Sequence, residues 1–279
     1  MLTFNHAGKI GDILFSLYFC IELSRSIGDS QFNYNIQINK KISDFKNTFC
    51  DSILQTRDKA LFIKPLLESQ PYINKVTIRE EPEDGSIDLN YFRSSVINEF
   101  GCEIRDWYYN YAVSTLPREF WKKIITVEPD PTFKDKILFT LTERYVNQKI
   151  DYTKLQEFKD HLVFIGTERE YQTFQKEYFE LDKVDLKPED SLLTVARYLA
   201  GAKGYIANQS GFYSLAELMK VPRILLAADW VRNQVWSTEQ GWKTEVGMGH
   251  KNNLPLGGWA NNVSYTPKLV AAVKELLAM

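Results

Sequence analysis

Apolar positions change period twice near the start of the chain, and the changes mark its first elements. Residues 2–5 read as a short strand, followed by the polar turn His6-Ala7-Gly8-Lys9-Ile10-Gly11-Asp12. Ile10, Leu14, Leu17 and Ile21 then recur at steps of four, three and four, which lines up one apolar face of a helix reaching about residue 27. Residues 32–39 return to alternation, with Ile36 and Ile38 between polar neighbours. Strand, helix, strand in that order is the seed of a parallel sheet. A helix over residues 60–69, strands over 76–78 and 87–89, and an aromatic, mostly helical region over 92–125 complete the first half.

Glu128-Pro129-Asp130-Pro131 is the best linker in the chain, because two prolines one residue apart hold the backbone extended. The domain boundary is placed there, giving domains over residues 1–130 and 131–265. Beyond it the rhythm resumes: strand 136–141, helix 152–159, strand 161–165, helix 168–178, helix 192–202, strand 204–207, helix 212–219 and strand 223–227. Residues 229–264 show little periodicity but hold Trp230, Trp236, Trp242 and Trp259, which argue for an ordered functional loop. Thr266 as N-cap and Pro267 at the first helical position open a closing helix over residues 266–279.

Composition narrows the class. Hydrophobic residues at 44% and aromatics at 14% over 279 residues describe soluble globular domains. Lys and Arg number 34 against 36 Asp and Glu, a net charge of −2, so no overall field recruits nucleic acid. Cys20, Cys50 and Cys102 are scattered and odd in number, and His6, His161 and His250 form no metal-ligand pattern. The start is too quickly polar for a signal peptide, and no apolar run reaches membrane-spanning length. A cytoplasmic protein without transmembrane segment, metal or cofactor is expected.

Two turns carry candidate chemistry. Gly8-Lys9-Ile10-Gly11-Asp12 joins a strand to a helix, where glycines let the backbone approach a ligand and a helix start offers N–H groups. It lacks the dinucleotide and P-loop glycine patterns, and Asp12 is equally explained as a helix cap. Tyr205-Ile206-Ala207-Asn208-Gln209-Ser210-Gly211-Phe212 is a second strand, turn and helix start, suited to a diphosphate or to plain capping.

Together these motifs resemble the heptosyltransferase-like (family 9) glycosyltransferases. Residues 8–17 are similar to the Gly-Asp-opened first helix of that family. Ser191-Leu192-Leu193 through Asn208-Gln209-Ser210-Gly211, then Leu215-Ala216-Glu217 and Val221-Pro222, resemble its donor-site signature, and residues 71–76 resemble its third β/α passage. Gln209 stands where the family usually has Asp and Ser214 where it usually has His, so no heptose donor is implied.

The resemblance implies an α/β, GT-B fold: two Rossmann-like domains with parallel sheets facing across a cleft, and a last helix crossing back to the first domain. Acceptor binds the first domain and nucleotide-sugar the second. Asp12 matches the family's general base, with Gly8, Lys9 and Gly11 on the acceptor or phosphate side. Thr140, Thr142, Arg144, Asn208, Gln209, Ser210, Gly211 and Glu217 form the expected donor site. Lys9 and Arg144 are equally read as surface charge, Glu217 as a solvated helix face, and His6 as satisfying a strand end. No Asp-x-Asp is present, so the expected enzyme is metal-independent and inverting, with nucleotide-sugar as co-substrate and no cofactor. The acceptor is a sugar, glycolipid or modified DNA base, and the competing reading is a non-catalytic sugar-nucleotide module.

Overall fold

The computed structural model describes residues 1–46, 52–93, 104–112, 114–226, 253–256 and 265–279. Contacts divide the chain into two compact units, residues 1–127 with 190–195, and residues 128–189 with 196–279.

The first unit opens with β1 (Thr3–His6), α1 (Ile10–Ser26) and β2 (Phe32–Gln37), then α2 (Ser43–Lys46), α3 (Arg57–Glu68), β3 (Ile73–Arg79) and β4 (Ile87–Asp88). Its four strands are all parallel in the order β3-β2-β1-β4. The sequence stripe on α1 understates its burial: Ile13 through Ile21 are all buried. A second layer explains this. Helix α4 (Ile104–Tyr111) packs on α1 with Phe19 against Tyr109 at 5.3 Å, and Phe120, beyond that helix, meets Tyr18 at 5.3 Å. Of the helical region expected over 92–125, the described residues hold α4 and a 3₁₀ turn at Leu89–Arg93, while 114–127 is irregular. Residues 94–103 lie outside the description.

The second unit runs β5 (Ile137–Thr140), β6 (Leu162–Phe164), α5 (Glu168–Glu177), β7 (Asp182–Lys183), α6 (Leu192–Gly201), β8 (Gly204–Ala207), α7 (Gly211–Met219), β9 (Arg223–Leu226), β10 (Asn253–Leu256) and α8 (Tyr265–Ala278). The start of α6 groups with the first unit. Six parallel strands lie in the order β10-β9-β8-β5-β6-β7. Ile137, Phe139, Phe164, Ile206 and Leu226 form a core with Phe174. Helix α8, expected to cross back, belongs by its contacts to this unit, where Leu269, Val273 and Leu276 join the same core. It starts at Tyr265, so Thr266 is not its N-cap; the Thr266 hydroxyl instead accepts the Asp151 N–H at 2.9 Å. The segment over 229–264 contains the unanticipated β10, and its four tryptophans lie outside the described residues. No helix among the described residues is long and apolar enough to cross a membrane.

The proline-rich linker is fastened to α6. Asp130 N–H donates to the Arg197 carbonyl at 2.9 Å, and a Cβ placed on Gly201 would stand 1.7 Å from the Asp130 carbonyl oxygen. Because backbone is the obstacle, no rotamer relieves it. Gly201→Ala is expected to destabilise the protein by about 3 kcal/mol, read as a lower urea midpoint; an unchanged midpoint contradicts this packing.

Candidate functional site

The loop between β1 and α1 spends its own donors. Ala7 N–H donates to Asn90 Oδ1 at 2.7 Å, Gly8 N–H to His6 Nδ1 at 2.8 Å, and Lys9 N–H to Asp12 Oδ2 at 3.0 Å. Three successive amides, those of Ala7, Gly8 and Lys9, are thus tied to side chains. Gly8 serves close approach: a Cβ there would lie 2.5 Å from both the Asp12 Cβ and the His6 ring. His6 closes the strand end, as the plainer reading of it held. Asp12 caps α1, and its carboxylate remains only part-buried, as does Gly11, whereas Lys9 is exposed.

Behind this loop lies a feature that hydropathy did not reveal. Thr77, Asn35, Asn5 and Asp88 occupy one register row across all four strands of the first sheet. Thr77 Oγ1 donates to Asn35 Oδ1 at 2.9 Å, Asn35 Nδ2 to Asn5 Oδ1 at 2.6 Å, and Asn5 Nδ2 to Gln37 Oε1 at 3.1 Å. Asn90 Nδ2 reaches Asp88 Oδ1 at 2.7 Å, and Asn90 holds Ala7. Asn5, Asn35 and Asn90 are fully buried, and each amide is satisfied sideways. The row anchors the Asp12 loop to the sheet.

In the second unit the expected donor residues fall at the carboxyl edge of a parallel sheet, after β5 and β8. Asn208 is fully buried and ties the two loops together: its Oδ1 accepts from Thr142 N–H at 2.9 Å and Thr142 Oγ1 at 3.1 Å, and its Nδ2 donates to the Thr142 carbonyl at 2.7 Å. Ser210 caps α7, accepting the Tyr213 N–H at 3.1 Å, while Ser214 Oγ donates to the Ser210 carbonyl. Gln209 is buried, and Ser210 and Gly211 stay part-exposed. Helix α7 has no acidic residue in its first turn, whereas α1 carries Asp12 and α5 carries Glu168 and Glu170. Its positive end is the one left uncompensated by a carboxylate among these three, and it suits an anion.

Two of the expected donor residues are engaged elsewhere. Thr140 is buried, its hydroxyl donating to the Ile165 carbonyl and accepting from Tyr205 Oη at 2.9 Å, so no proton is left for a phosphate. Glu217, read as a ribose acceptor or a solvated face, is fully buried between Arg223 and Lys220, the latter at 2.6 Å. Its helix turns that position inward, toward the start of β9.

The structure adds residues that the sequence reading passed over. Glu143, Thr167, Arg169 and Glu170 join the expected Thr142 and Arg144 in lining an open depression of about 500 Å³ formed by the loops after β5 and β6. Arg169 forks onto Glu143 at 2.9 and 2.8 Å, which holds the Glu143 carboxyl below its ordinary range, and Arg144 lies over the Tyr145 ring at 4.7 Å. The signal was present: Thr-Glu-Arg occurs at 142–144 and again at 167–169, each time just beyond a strand. Among the described residues no group of three or more His, Cys, Asp or Glu side chains gathers to hold a metal.

No protein-family model matches the chain, and no curated protein matches it in sequence. Solved structures match it along its length. The glycosyl transferase family 9 structure from Veillonella parvula superposes with a TM-score of 0.62 at 10% identity, covering 99% of this chain and 97% of that one. The Escherichia coli ADP-heptose lps heptosyltransferase II gives 0.64 at 12%, covering 99% and 98%. The Escherichia coli heptosyltransferase WaaC with ADP gives 0.58 at 11%, covering 99% of each chain. At such identities the likeness establishes the fold: two parallel-sheet α/β units in the GT-B-like arrangement of elements of these proteins.

Proposed function

We propose that this chain is a glycosyltransferase that moves a sugar from a nucleotide-sugar to a hydroxyl acceptor, without a metal and with inversion at the anomeric carbon. The observation that carries this reading is the full-length likeness to family 9 and heptosyltransferase structures, two of which are named with ADP or ADP-heptose. Asp12 and the Ser210-Gly211 turn provide the chemistry. An attacking hydroxyl must lose its proton, and Asp12 is the base that takes it. The leaving diphosphate gathers negative charge, which the amino end of α7 and the guanidinium group of Arg144 offset. Asn208 and Thr142 keep that turn in shape, and Gln209 alters the immediate surroundings of the phosphates. A free, buried Cys20 fits a reducing cytoplasm.

Thermal-shift measurements with ADP-, UDP-, GDP-, CMP- and dTDP-sugars test the donor. A ligand at a hundred times its Kd adds about 2.7 kcal/mol, so one nucleotide should raise the melting temperature by several degrees, ADP-sugars being the first to try. No rise with any of the five overturns the proposal.

A further inference from the structure

Residue 12 is gripped from more directions than a helix cap requires. Its carboxylate receives the Lys9 N–H, which already satisfies the first turn. Yet its carbonyl also accepts the Tyr108 hydroxyl at 2.8 Å, delivered by α4 from 96 positions along the chain. That hydroxyl meets His6 Nε2 at 2.8 Å, and the His6 ring lies edge-on to Tyr108 with centroids 5.7 Å apart.

The direction of these bonds follows from one contact. His6 Nδ1 accepts the Gly8 N–H, so that nitrogen carries no proton, and the neutral ring holds its proton on Nε2. His6 therefore donates to Tyr108 Oη, and Tyr108 gives its own proton to the Asp12 carbonyl. A single imidazole thus holds residue 12 by two routes. One runs through Tyr108 to the carbonyl. The other runs through Gly8, which is wedged between the His6 ring and the Asp12 side chain, and on to the Lys9 amide at the carboxylate.

Packing alone does not call for this arrangement. Tyr108 is buried, and a phenylalanine would fill the same space and keep the ring contact while losing the hydrogen bonds to His6 and to the Asp12 carbonyl.

We propose that Tyr108 and His6 are positioning residues that fix the orientation of the Asp12 carboxylate for proton abstraction. This rests on the reading of Asp12 as the base. Small displacements of a reacting group are costly, up to about 10²-fold for roughly 1 Å, and a clamp on both ends of residue 12 prevents them.

Tyr108→Phe is the direct test, run beside Asp12→Asn and Tyr34→Phe. The last removes a phenol hydrogen bond of equal length, 2.8 Å to Ser16, from the core of the same unit. Release of the nucleotide leaving group from the five nucleotide-sugars, a nucleoside diphosphate from four and CMP from the fifth, with water as acceptor, gives the rate. Tyr108→Phe is expected to lower kcat about tenfold with the donor KM within about twofold, while Tyr34→Phe loses comparable thermal stability and keeps its kcat. If Asp12→Asn abolishes release but Tyr108→Phe does not slow it, or slows it no more than Tyr34→Phe, the positioning role is wrong and the base survives. If Asp12→Asn releases at the wild-type rate, both fall. A readout independent of substrate is the ¹⁵N spectrum of the His6 ring, where protonated Nε2 and bare Nδ1 are expected. The opposite tautomer overturns the clamp.

Discussion

Asp12→Asn is expected to slow sugar transfer by about 10²-fold or more, the ordinary contribution of a positioned general base. The substitution is informative because it separates two roles of one side chain. The asparagine amide oxygen can still accept the Lys9 N–H that closes the capping box from the third helical position, so α1 keeps its start. What disappears is the basic oxygen and the charge at the helix end, the latter worth about 0.3–1 kcal/mol. A large fall in rate with a nearly unchanged melting temperature therefore identifies chemistry, not folding. A small fall in both would make Asp12 a cap.

Glu217→Gln is expected to destabilise the second unit by about 3–5 kcal/mol, the cost of breaking a buried ion pair. Glu217 and Arg223 are both fully buried, and Lys220 is only 11% exposed on its side chain. Neutralising that carboxylate removes the negative charge that Arg223 and Lys220 both pair with. Equilibrium urea unfolding reads the loss. The same variant also decides the place of Glu217 in the protein: a stability loss with unaltered donor-induced thermal shift marks it as structural, whereas normal stability with a lost shift restores it to the donor site.

Much of the fold was legible because its signals are local. Parallel strands rich in Ile, Leu and Phe, each followed by a turn and an apolar helical stripe, gave the order of elements in both units. Misses have physical causes. Tyr152, Leu155 and Phe158 recur at intervals of three and are all buried, which fits the 3₁₀ winding of Tyr152–His161 better than the α-helix expected there. Strand β7 consists of an exposed Asp and Lys at the sheet edge, and β10 is the opposite edge with Pro255 in it. Edge strands tolerate charge and proline and so carry no hydrophobic pattern.

The candidate site was legible as two turns but not as a set of contacts. Sequence placed Asp12 and Ser210 at helix starts, since Gly, Asp and Ser after a strand are signals of local geometry. It could not show that Asn90 takes the Ala7 donor, because the two lie 83 positions apart. Nor does a pattern of alternating hydropathy register Asn5 and Asn35, polar residues buried by mutual hydrogen bonding. Glu217 was misjudged because helix phase depends on what the helix packs against, and its partner Arg223 arrives from the next strand.

The most direct test pairs two readouts on the wild type and Asp12→Asn: nucleoside diphosphate release and the donor-induced rise in melting temperature. The account predicts that the variant keeps the rise and loses nearly all of the release. A variant that turns over the donor at the wild-type rate, or a wild type that neither binds nor cleaves any nucleotide-sugar, contradicts it.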